Sequence, residues 1–234
     1  MNASDMGDYP AALEHLEVSA ERARACAAQR QQAWSLSILA RAHLLRDERS
    51  QAAAAVGAAL ELVHEQRWMA FLPWPESLKG ELDLRAGRVE AAGQQFEHAW
   101  SLGCQVGDPC WESLAARGLG LCNATRGDAA AASAWLAEAQ ARSNRVVDRY
   151  QWVRAYVLDA MAGFALDRGD TGQARRLVET LAALAARSDM RELVVRAQLH
   201  RSRLGDPAAL ASARMLAAGI DNPALAPLLD GVRA

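Results

Sequence analysis

The chain has 234 residues, 51% of them hydrophobic, and a formal net charge of −2. That balance lacks the basic stripe of a nucleic-acid-binding surface, so no direct nucleic-acid contact is expected. No apolar run approaches the ~18–20 residues that cross a bilayer, and the opening MNASDMGDYP has neither the basic nor the apolar region of a secretion signal, so the expected setting is cytoplasmic, with no membrane partner.

Alanine and leucine dominate while Val, Ile, Tyr and Phe are sparse, a composition of helices and not of sheets. Of the 26 basic residues only Lys79 is a lysine, which fits a GC-rich bacterial gene. In chain order, residues 1–9 are expected to be disordered and residues 10–29 to form an extra helix that caps the N-terminal end of a repeat array. Residues 10–234 are expected to be a single repeat domain. Five related segments carry the repeat: RDERSQAAAAVGAAL (46–60), AGRVEAAGQQFEHAW (86–100), RGDAAAASAWLAEAQ (126–140), RGDTGQARRLVETLA (168–182) and LGDPAALASARMLAA (204–218). Each passes a turn residue, Asp47, Gly87, Gly127, Gly169 or Gly205, and enters an alanine-rich helix, in steps of 40, 40, 42 and 36 residues. A period of this size marks an array in which each unit buries its apolar face by stacking on its neighbours.

The unit over 73–106 reads most clearly. Pro73 and Pro75 can start a helix but cannot sit inside one. That helix runs through Leu78, Leu82 and Leu84 to Arg85, and Gly87 ends it by taking the left-handed turn conformation. A second helix from Val89 places Ala92, Phe96 and Ala99 on one face. The same face reads Ala52, Val56, Ala59; Ala132, Leu136, Ala139; and Ala174, Val178, Leu181. A small residue precedes each of the first four turns by seven: Ala40, Gly80, Gly120 and Ala162. A helical glycine costs about 0.5–1 kcal/mol relative to alanine, so Gly80 and Gly120 predict crossings too tight for a side chain. A terminal helix is expected after Asn222.

A small residue, a turn glycine and then Ala-x-x-x-Phe/Leu/Val-x-x-Ala/Leu resembles the tetratricopeptide repeat, whose common unit is 34 residues. These units are about six residues longer, and His43, Asp83, Asn123 and Ala165 stand where that family usually has a tyrosine. Such long units resemble the C-terminal region of MalT-like and LuxR-type ATP-dependent activators and of cyclase-like ATPases. The resemblance implies an all-α, right-handed superhelix of antiparallel helix pairs that serves as a sensor or partner surface. The phosphate loop G-x-x-x-x-G-K-[ST] of those regulators does not occur in this chain.

Trp34 and Trp74 begin successive first helices, Tyr156 falls on the equivalent place, and Trp111 and Trp152 lie within about a turn of it. Aromatics in that register either line a groove on the inner face or pack between helices, and the spacing alone leaves both readings open. Ser37, Arg41, Ser77, Glu81, Arg117 and Asp159 share the face, and their mixed charge suits an extended polypeptide. The scattered histidines and the four cysteines, Cys26, Cys104, Cys110 and Cys122, form no metal-ligand pattern. No catalytic residue, metal or cofactor is therefore expected. The two RGD triplets, at 126–128 and 168–170, read as a helix end, a glycine turn and an aspartate cap. The expected function is protein or effector recognition, as the sensory or scaffolding part of a bacterial transcriptional or signalling regulator. A small-molecule or signal-peptide sensor and a homo-oligomerisation module are the alternatives.

Overall fold

Among the described residues, one backbone device stops ten of the thirteen helices. In a computed structural model that describes residues 2–145 and 150–231, the elements are α1 (Asn2–Asp5), α2 (Tyr9–Ala25), α3 (Gln29–Leu45), α4 (Arg49–Glu65), α5 (Pro73–Arg85), α6 (Val89–Val106) and α7 (Pro109–Thr125). They continue with α8 (Ala129–Ser143), α9 (Gln151–Asp167), α10 (Thr171–Arg187), α11 (Arg191–Arg203), α12 (Ala209–Ala217) and α13 (Leu225–Asp230), with no strand among the described residues. Left-handed backbone recurs at Gly7, Ala27, Asp47, Arg67, Gly87, Gly107 and Gly127, and again at Gly169, Asp189 and Gly205. After each of these, the next amide donates to the carbonyl five residues back. Examples are Asp8 to Ala3 (2.9 Å), Ala28 to Ala23 (2.8 Å), Trp68 to Val63 (2.9 Å) and Asp128 to Asn123 (2.9 Å). This bond satisfies a carbonyl that the helix end would otherwise leave unpaired.

Asp47, Gly87, Gly127, Gly169 and Gly205, read as turns from the sequence, are five of these ten described positions. Gly7 falls one forty-residue step before Asp47, and Ala12 and Leu16 of α2 match Ala52 and Val56 of α4. Thus α2 is a helix in phase with the array. Residues 2–9, expected to be disordered, hold α1, a left-handed turn and the fully buried Tyr9. The expectation failed because a short polar segment shows no periodicity of its own. What orders it is contact with residues far along the chain, Glu192 and Ile220 among them.

Two compact units are formed, Ala11–Val147 and Met1–Pro10 with Asp148–Ala234. In the first, α3 pairs with α4, α5 with α6 and α7 with α8; α3 also contacts α5, and α5 contacts α7, so the first helices of successive hairpins form one layer. In the second, α9 pairs with α10 and α11 with α12, and α9 contacts α11. Every second-helix face read from the sequence is buried, including Ala92, Phe96 and Ala99, Ala132, Leu136 and Ala139, and Ala174, Val178 and Leu181.

The interior glycines are explained by distance. A Cβ built on Gly80 would stand 2.9 Å from the Phe96 ring, and one on Gly120 would stand 2.7 Å from Leu136. Gly118 is tighter still, at 2.3 Å from the same Phe96 ring. One aromatic ring thus lies against two glycines of two different hairpins.

Candidate functional site

The aromatic side chains gather where first helices begin. Pro73 sits at the start of α5 and Pro109 at the start of α7, where a missing amide costs nothing. Just inside or before those starts lie Trp68, Phe71, Trp74 and Trp111. Trp68 stacks on Phe71 at 4.3 Å between centroids, Phe71 stacks on Trp34 at 5.1 Å, and Trp74 stacks on Trp111 at 5.1 Å. Trp34 also meets Trp74 edge-on at 5.5 Å. Phe71, Trp74 and Trp111 are buried while Trp34 and Trp68 are half-buried. The exposed Arg30 guanidinium lies 5.5 Å from the Trp68 ring centre, in cation–π range. Trp74 is core, and Trp34 is a partly solvent-facing edge of the same cluster.

The polar candidates divide the same way. Ser37 and Ser77 are buried and turn their hydroxyls back to Ala33 O and Pro73 O, both at 2.8 Å, one turn earlier on their own helices. Arg41 and Asp159 are also buried. These four, with Trp74, are buried and offer little surface to an incoming partner. Trp34, Glu81, Arg117 and Tyr156 are half-buried; the first three lie on α3, α5 and α7, and Tyr156 lies in the other unit beside Trp152.

The charges predicted to line a groove are paired with one another. Arg117 Nη1 donates to Glu81 Oε2 at 3.0 Å, across 36 residues, and Arg85 Nε donates to Glu81 Oε1 at 3.2 Å. Arg85 also donates to Leu44 O at 2.7 Å. Burial works to raise the Glu81 pKa, but Arg117 and Arg85 outweigh it and hold the carboxyl at about 2. In the other unit Arg196 Nη1 donates to Asp159 Oδ2 at 3.4 Å, and His200 Nε2 pairs with Asp159 Oδ1 at 2.8 Å. An acidic group on one first helix and an arginine on the next is thus a recurring tie between hairpins. Sequence reasoning finds Glu81, Arg117 and Asp159 but not their partners Arg85, Arg196 and His200. It also passes over Trp68 and Phe71, which the left-handed Arg67, twenty residues after Asp47, marks as turn-proximal.

Burial pushes the Cys122 thiol up to about 11, so it is not a thiolate at neutral pH. Asp128 and Asp170 of the RGD triplets accept from Ala131 N and Gln173 N, both at 2.9 Å, as helix caps.

No protein-family model and no curated protein matches the sequence. Solved structures share its fold, among them these two. The Rap protein complexed with Competence and Sporulation Factor aligns with a TM-score of 0.78 at 15% identity, over 96% of this chain. The chain spans 62% of the length of that protein. BtubC from P. vanneervenii aligns with a TM-score of 0.60 at 18% identity, over 90% of this chain and 91% of its own. At these identities the likeness speaks to fold alone. Together with the turn phase and the buried faces, it makes this chain an all-α solenoid of tetratricopeptide-like helix hairpins.

Proposed function

We propose that the chain recognises an extended peptide or a protein segment through the first helices of the unit Ala11–Val147. The observation that carries this is that Trp34, Glu81 and Arg117 are half-buried on α3, α5 and α7, of which α5 contacts both others. A partly exposed aromatic edge on one first helix, and a paired acid and arginine on the next two, offer an apolar anchor and groups that can exchange partners with a polypeptide backbone or termini. The fold of the Rap protein, solved with Competence and Sporulation Factor, supports a signalling setting, and we place this chain as the sensory or scaffolding part of a bacterial regulator. A catalytic role forms no part of this proposal.

The test replaces Trp34 by Ala and Arg117 by Gln together. Trp74 is left alone because it is 1% exposed and its loss would report on folding. The double variant is expected to keep its helical circular dichroism and to lose partner capture from a bacterial lysate. Undiminished capture by a folded variant would overturn the proposal and move recognition to another face.

A further inference from the structure

The N-terminal segment is held to the far end of its own unit by a buried polar chain. Glu192, at the start of α11, is 2% exposed. Its carboxylate accepts from the hydroxyl of Tyr9, which is 0% exposed, from Asn222 Nδ2 at 2.8 Å, and from Arg196 Nε and Nη2 at 3.1 and 3.0 Å. Arg196 continues the chain to Asp159 on α9, at 3.4 Å. Ahead of Tyr9, the Gly7 turn is seated on the Ile220 side chain and Arg191: a Cβ at Gly7 would stand 3.3 Å from Ile220 Cγ2 and 3.6 Å from Arg191 Cβ. Ser4 is buried as well. Three segments remote in sequence, those of Tyr9, Glu192 and Asn222, therefore meet at one carboxylate, and Arg196 links it to a fourth at Asp159.

We infer that residues 3–9 are a releasable clasp on the α11–α13 end of this unit, fastened by Tyr9 to Glu192 and linked through Arg196 to α9. Two features make release a local event. The segment is short and lies near the chain's beginning, and its buried residues are Ser4, Gly7 and Tyr9. Low-stability segments of this kind open below the global unfolding free energy. The link is physical because Arg196 serves both carboxylates: a change at Asp159 alters the hold on Glu192, and so on Tyr9. The α9 face that carries Tyr156 and Asp159 would thereby sense, or be sensed by, the state of the clasp. This last step is independent of the recognition residues on α3, α5 and α7.

Hydrogen exchange on the full chain tests it. Tyr9→Phe keeps the ring and removes the hydroxyl that donates to Glu192. Amides of 3–9 and 219–226 are then expected to exchange about tenfold faster or more, while those of 29–125 keep their rates. Arg196→Lys, which keeps the charge but cannot span both carboxylates, is expected to speed exchange at 3–9 because Arg196 bonds both Glu192 and Asp159. Unchanged rates at 3–9 in either variant would overturn the clasp or its link to α9. Faster exchange throughout 29–125 would overturn it too, because the effect would then be general destabilisation.

Discussion

A single ring sets how closely α5, α6 and α7 approach. Phe96 is 1% exposed, and Gly80 and Gly118 leave room for no side chain beside it. Removing the ring by Phe96→Ala opens a cavity that the surrounding helices cannot fill, and a loss of about 3–5 kcal/mol is expected in chemical denaturation. The opposite error costs as well: Gly118→Ala drives a methyl to 2.3 Å from a ring that also lies against Gly80, and about 1–3 kcal/mol is expected. Combining Gly118→Ala with Phe96→Leu should recover part of that loss, since the smaller side chain frees the space the methyl needs. Additive losses in the double variant would show that Gly118 is constrained by something other than Phe96. Gly80 is legible in the sequence because it repeats seven residues before a turn. Gly118 is not, because it falls outside that phase and only the direction of the Phe96 ring reveals its role.

At the scale of the element, the turn matters more than the helix. Ala27, Asp47, Arg67 and Asp189 hold the left-handed conformation with a side chain present, at φ of 53°, 56°, 48° and 50°. For a residue with a Cβ this costs roughly 1–2 kcal/mol. Arg67→Gly is therefore expected to raise the thermal midpoint, and the gain in stability should be on the order of 1 kcal/mol. A lowered midpoint would mean that the Arg67 side chain contributes more than its backbone costs. The same residues explain what the sequence conceals. Glycine announces a turn at 87, 127, 169 and 205, whereas Ala27 and Arg67 carry no local signal. Only a spacing of twenty exposes them, and the alanine-rich segments on their own repeat at about forty. The buried second-helix faces are legible because Ala-x-x-x-apolar patterns need only one helix to be recognised. The fate of Ser37 and Ser77 needs two: a hydroxyl on a first helix faces solvent or a neighbour depending on how closely the next hairpin packs.

For the whole molecule, neighbouring hairpins are tied by charge at about one repeat. Arg117 with Glu81, Arg196 with Asp159 and Arg203 with Asp167 are separated by 36, 37 and 36 residues. Such ties make stability depend on pH. The Glu81 carboxyl ionises at about 2 in the folded chain against an ordinary value of 4.5, so the folded state favours the charged form. Its stabilisation is complete above about pH 4.5 and is lost as pH falls toward about 2. Glu81→Gln is expected to lower stability at pH 7 and to flatten the loss between about pH 4.5 and 2, measured as urea midpoints across that range. An acid limb as steep as that of the native chain would show that other carboxylates govern it.

The turn recurring at 7, 27, 47, 67, 87, 107 and 127 also decides which genetic lengths are easy to inherit. A duplication or loss of forty residues returns every helix to its own kind of neighbour, with a small residue still facing an aromatic or aliphatic one. A slip of twenty keeps all the turns but hands each first-helix slot to a second-helix sequence, setting alanine-rich faces where tryptophan stacks were. Lengthening by whole hairpins is thus nearly free of repacking, and the array can change its reach without inventing a new core.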